Sequence, residues 1–189
     1  MSEQALLARI VTALEGAGIP FMLTGSLASS LQGVPRASHH VDLVIDALPE
    51  DAQRVAESLS APDLHVDAHA VAEAVALRTM FNVIAPSSGD KADFWLLKDE
   101  PYDRERFARR VRVRALGLEL PVPTPEDTIL MKLRWAAQAG GSSKQTDDAF
   151  GVYEFQGDRL DRAYLDRWAQ VLGVSIDLAA LEERAAAGG

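Results

Sequence analysis

Two carboxylates in this chain sit inside runs that are otherwise apolar and strand-length: Asp42 in His40-Val41-Asp42-Leu43, and Asp93 in Ala92-Asp93-Phe94. For Asp93, a charged carboxylate between Ala92 and Phe94 is costly unless a cation or a hydrogen-bond donor meets it. Upstream lies a Gly25-Ser26 turn. Turn, paired polar positions on one strand and a single acid on another is the layout of a two-metal phosphoryl-transfer site. In that layout His40 stands where the first of two paired carboxylates belongs.

The 189 residues suffice for one core of about 100 to 150 residues plus a small appended lobe. With 48% apolar and 25% charged residues, the composition is ordinary for a globular protein. There is no cysteine, which excludes a disulfide framework, a thiolate metal site and a thiol nucleophile. The formal charge of −9 argues against a general nucleic-acid coat and leaves a local basic groove open. The N-terminus has neither a basic lead nor a continuous apolar stretch, so no signal peptide is expected. No segment approaches about 18 uninterrupted apolar residues, and a cytoplasmic protein without a membrane partner is expected.

Leu6, Ile10 and Leu14 form one stripe of an amphipathic helix ending near Gly16 and Gly18, ahead of a strand at 21–24. After Gly25, a helix over 27–31 is expected with Ser26 as N-cap, broken at Gly33-Val34-Pro35. A second strand covers 41–45, a helix follows Pro49, and a shorter one covers 71–77. The runs 81–85 and 92–97, separated by turn residues, read as a β-hairpin. Residues 110–114 alternate as a half-exposed strand that pairs with 118–122. From Thr124-Pro125 onward the pattern is helical. The expected fold class is α+β: a mixed β-sheet flanked by helices over residues 1–122, followed by a C-terminal helical lobe over 123–189.

On a strand, positions 40 and 42 share a face with Cα atoms about 6.6 Å apart, close enough for one ion. Two acids there would cradle a hard cation such as Mg2+. Asp46 lies about 13 Å from Asp42 along the strand and does not replace the missing acid. Asp93 either meets a cation or pairs with Lys91 on its own strand face. Gly25-Ser26 either cradles a phosphate at a helix start or is an ordinary turn. Arg36 and Lys132 either meet a triphosphate or form salt bridges. Of His39 and His40, at most one joins Asp42, since adjacent strand residues point to opposite faces. Six arginines between Arg104 and Arg114 form either a solvated, aggregation-resistant edge strand or a track for RNA phosphates or an acidic partner. Trp95, Trp135 and Trp168 lie in apolar patterns and are assigned to the core.

The order of motifs resembles the nucleotidyltransferase-fold superfamily, and within it bacterial proteins related to the AbiEii/AbiGii-type toxins and neighbouring nucleotidyltransferase-like families. Four segments carry the resemblance: LTGSLASSLQGVPRASHHVDLVID, FNVIAPSSGDKADFWLL, TPEDTILMKLRWA and SSKQTDDAFGVYEFQGDRLDRAYLDRWAQVLGV. The resemblance implies attack by an acceptor hydroxyl on the α-phosphorus of a nucleoside triphosphate, assisted by a divalent metal, Mg2+ or Mn2+. It implies Gly25, Ser26 and Arg36 at the nucleotide and His40, Asp42 and Asp93 at the metal. Asp42, Asp93 and Lys132 are the implied catalytic residues, with Lys132 also neutralising phosphate and Asp148 as an accessory acid.

His40 departs from the pattern. A neutral imidazole offers one lone pair and no negative charge, and it prefers softer ions than magnesium. The implied function is nucleotidyl transfer to an RNA, protein or small-molecule acceptor, impaired by His40. The alternative is a catalytically silent relative that binds a nucleotide or a protein partner, as in a toxin-antitoxin pair. A nucleic-acid-binding regulator rests only on the arginine tract.

Overall fold

The structure is a computed structural model, and it describes residues 2–36 and 40–188. Contacts group the chain into two units, Met1–Thr24 with Ala37–Val122 and Gly25–Arg36 with Pro123–Gly189.

The first unit is built on a five-stranded mixed sheet in the order β1 (Phe21–Thr24), β2 (His40–Ile45), β5 (Asp90–Leu96), β4 (Met80–Ala85), β3 (His65–Val66). β2 and β5 run parallel, and the other neighbouring pairs run antiparallel. One face of this sheet is largely apolar: Phe21, Leu23, Val41, Leu43, Ile45, Phe81, Val83, Ala92, Phe94 and Leu96 are all buried. Phe81 and Phe94, register partners, stack with ring centroids 4.8 Å apart. Helix α1 (Glu3–Gly16) packs on β2, β5 and helix α3 (Ala52–Leu59), while α4 (Ala68–Leu77) packs on α3 and β4.

The other face alternates into Met22, Thr24, His40, Asp42, Val44, Lys91, Asp93 and Trp95 by the period of two. Here Met22 and Val44 cluster with Leu97 and with Phe107 of helix α5 (Pro101–Ala108), leaving the polar positions to one end. Trp95 is 44% exposed, which corrects its assignment to the core: it stands on the polar face. Strands β6 (Val111–Ala115) and β7 (Leu118–Val122) form a separate antiparallel hairpin.

The second unit comprises α2 (Gly25–Gln32), α6 (Pro125–Gln138), α7 (Ser143–Gln156), α8 (Arg162–Leu172) and α9 (Ser175–Gly188). Thr124 caps α6 through the Asp127 amide, with Pro125 in the first turn. Asp127 is fully buried and accepts the Tyr164 hydroxyl at 2.7 Å. Gly33 and Gly151 let the end of α2 approach α7: a Cβ built on Gly33 would lie 2.7 Å from the Gly151 carbonyl carbon. Among the described residues, no helix is long and apolar enough to cross a membrane.

Candidate active site

Asp42 and Asp93 meet as direct register partners on the parallel strands β2 and β5, and His40 and Lys91 are register partners two residues earlier. Period-two geometry puts all of them on one face. Carboxylates directly opposite one another repel, so this corner of the sheet needs positive charge. Lys91 Nζ lies 3.0 Å from Asp93 Oδ2, and His40 Nε2 lies 3.4 Å from Asp42 Oδ2. Asp93 is only 7% exposed. Its Oδ1 is buried and has no hydrogen-bond partner among the described residues.

Asp93 thus takes the Lys91 pair through one oxygen, and its other oxygen has no partner among the described residues. One ligand atom from each of His40, Asp42 and Asp93 lies within 4.8 Å of the others, a spacing that can hold a metal ion. The donor set, one imidazole nitrogen and two carboxylate oxygens, suits a divalent ion and is softer than an all-carboxylate cradle. His39 lies outside the described residues.

In the first unit, Thr24 is the register partner of Asp42. Gly25 follows it with φ of +67°, a left-handed conformation that glycine adopts without strain. Ser26 lies inside the first turn of α2 rather than at its cap, which corrects the expected N-cap role.

In the second unit the Ser26 hydroxyl accepts a hydrogen bond from Arg36 at 2.6 Å. Arg36 also donates to both oxygens of Asp148 at 2.6 Å, and Lys132 Nζ donates to Asp148 Oδ2 at 2.7 Å. Lys132 is 2% exposed. Burial alone would push the Asp148 carboxyl up; the hydrogen bonds from Arg36 and Lys132, with their positive charges, outweigh it and hold the group below the ordinary carboxylate range. Hydrogen bonding to Asp148 likewise raises Arg36 against the opposing effect of burial. A cavity of about 290 Å3 beside this network is lined by Arg36, Asp148, Ser29, Val34, Phe150 and Glu154. Asp148 as the shared partner of Arg36 and Lys132, with Ser26 reached through Arg36, has no signature in spacing, because Arg36 lies about a hundred residues from the other two.

The arginine tract spans α5, the link after it and β6. Arg104 pairs with Asp46 and Asp99, at 2.9 and 3.0 Å. Arg106 forms a buried pair with Asp103 at 2.8 Å. Arg110 lies over the Phe107 ring, 4.1 Å from its centroid. Arg112 approaches Glu15 at 3.6 Å. An edge strand describes only the last members, since Arg104 and Arg106 belong to α5.

In structure the chain is similar to the antibiotic-resistance factor ANT(2'')-Ia, at 16% identity over 97% of this chain and 93% of that one, with a TM-score of 0.56. It is similar to JHP933 from Helicobacter pylori, at 14% identity over 97% and 90% with a TM-score of 0.54. It is also similar to an antigenic nucleotidyltransferase-like protein from Paracoccidioides brasiliensis, at 17% identity over 95% and 92% with a TM-score of 0.53. No protein-family profile matches the sequence, and no curated protein does.

Proposed function

We propose that this chain, whose fold is that of the nucleotidyltransferases, transfers a nucleoside monophosphate from a nucleoside triphosphate to an acceptor hydroxyl. The observation that supports this most is the pairing of Asp42 with Asp93 beside His40, with a buried Asp93 oxygen left open. In the proposed reaction the acceptor oxygen bonds to the α-phosphorus, the bond from that phosphorus to the leaving oxygen breaks, and pyrophosphate departs with the electron pair. The acceptor proton passes to the Asp93 carboxylate. A divalent ion held by His40, Asp42 and Asp93 would supply Lewis-acid neutralisation of phosphate charge. Asp42 orients the ligand set through its register with Asp93, and Lys91 balances part of the negative charge.

Phosphate roles for Gly25, Ser26, Arg36 and Lys132 belong to the proposal and carry none of its weight. Within their own unit Arg36 and Lys132 are already engaged by Asp148. One ANT(2'')-Ia structure is a complex with adenylyl-2''-tobramycin. By that likeness, small hydroxylated molecules are the first acceptor class to test, followed by RNA and protein.

Two observations favour a second reading, a catalytically silent module that binds a nucleotide or a protein: the imidazole at position 40 and the ammonium of Lys91 on Asp93. The deciding experiment incubates the protein with α-labelled nucleoside triphosphates, Mg2+ or Mn2+, and pools of each acceptor class. Metal-dependent label transfer lost in Asp93→Asn supports the enzyme. Nucleotide-induced thermal stabilisation without transfer from any pool supports the silent module.

A further inference from the structure

We infer that the sheet-face cluster is a single-ion site, in which Lys91 takes the place of a second divalent cation. The inference rests on the metal-binding part of the function proposed above and deepens it.

The argument begins with charge. The carboxylates of Asp42 and Asp93, counted against the ammonium of Lys91, leave a single negative formal charge, to which an imidazole acting as a ligand adds none. One divalent ion turns this slightly positive, and a second adds to the repulsion. In a site for two ions about 3.5 to 4 Å apart, acidic oxygens have to be shared between them.

The ligand atoms point the same way. His40 offers one nitrogen lone pair, which serves one ion and cannot bridge two. Asp93 has its Oδ2 on the Lys91 ammonium at 3.0 Å, leaving its buried Oδ1 as the oxygen open to an ion. The register of β2 against β5 places Lys91 beside His40 just as it places Asp93 beside Asp42. The four side chains thus form a two-by-two patch, with the ligands His40, Asp42 and Asp93 gathered within 4.8 Å and the fixed cation at the remaining corner.

Lys91 has a side chain 45% exposed, so replacing it is compatible with folding. The test is a Mn2+ titration of the intact protein without nucleotide, followed by electron paramagnetic resonance and calorimetry. It compares the native chain, Lys91→Ala, and the double variant Lys91→Ala with His40→Asp. Circular dichroism melting confirms that each is folded. The native chain is expected to bind one Mn2+. Lys91→Ala is expected to bind the first ion on the order of 10-fold more tightly, from removal of one nearby positive charge. The double variant is expected to bind two ions, with spin–spin broadening of the resonance. Two ions on the native chain, or one on the double variant, overturns the inference while leaving metal-assisted transfer standing. No ion on any of the three overturns both readings. As a second variant, Lys91→Arg keeps the charge and is expected to retain single-ion stoichiometry; two ions on it also overturn the inference.

Discussion

Asp42 and Asp93 lie opposite each other on parallel strands, and the carboxylate of each is approached by the cationic or imidazole side chain two residues before it on its own strand. The arrangement concentrates like charge where the sheet would otherwise be apolar. Lys91 offsets part of that charge, and on the proposed function the binding of an ion would be coupled to sheet stability at this corner.

Removing one acid therefore separates binding from folding. Asp42→Asn relieves the repulsion, leaving stability without metal unchanged or raised by up to about 1 kcal/mol. Any rise in melting temperature caused by Mn2+ should disappear. Differential scanning calorimetry with and without Mn2+ checks this, and a metal-induced rise equal to the native one excludes Asp42 as a ligand.

On the proposed function, the imidazole of His40 would set metal preference. The native protein should be stabilised more by Mn2+ than by Mg2+ at equal concentration, because imidazole suits the softer ion. His40→Asp should increase Mg2+ affinity by roughly 10-fold by adding a negative oxygen donor. Isothermal titration with each ion measures both effects, and an unchanged Mg2+ affinity argues against the placement of position 40 at the ion.

Asp148 is the carboxylate partner of a buried ammonium, and removing it takes that charge compensation away. Asp148→Ala should cost about 3 to 5 kcal/mol in urea unfolding, since Lys132 is 2% exposed. Lys132→Met, which removes charge while retaining volume, should cost less than Asp148→Ala. Equal costs would mean that the charge is not what matters.

The same group gives a pH dependence. The Asp148 pKa is depressed in the folded protein, so the unfolded chain binds the proton more readily. Its contribution to stability is present above the ordinary carboxylate value of about 3.9 and is lost as pH falls through the lower folded value. Relative to the native chain, Asp148→Asn should be destabilised near neutrality and show a shallower loss of stability below about pH 4. Urea midpoints across that window test this, and parallel curves for the two proteins refute it.

Close approach of backbones makes a last contrast. A Cβ on Gly33 would lie 2.7 Å from backbone atoms of Gly151 and Val152, whereas a Cβ on Gly151 meets the Val34 Cγ2 at 3.2 Å. Backbone has no easy way to give. The Val34 side chain is 66% exposed and can move. Gly33→Ala should cost about 1 to 3 kcal/mol and Gly151→Ala less than about 1, as read by thermal melting.

Much of the fold is legible because its patterns are local. The alternation through 41–45 and 92–97, the turn between the hairpin strands, and the Thr124-Pro125 helix start each depend on neighbouring residues alone. Helix α5 escaped because half of its buried stripe is charged. Tyr102, Asp103, Arg106 and Phe107 are buried together, and Asp103 and Arg106 pair with one another across a helical turn. In sequence those charges read as exposed. Trp95 escaped for a related reason: apolar neighbours on both sides conceal that β5 shows one apolar and one polar face.

From the sequence alone one can read which residues are expensive to bury and which strand face each occupies, because steric preference and period-two geometry act over a few residues. It thereby singled out His40, Asp42, Lys91 and Asp93. That Asp42 lies beside Asp93, and that Asp148 gathers Arg36 and Lys132, was decided by tertiary structure. Coulomb and hydrogen-bond energies depend on distances of a few ångströms, and only strand register and helix packing bring residues so far apart in the chain within that range.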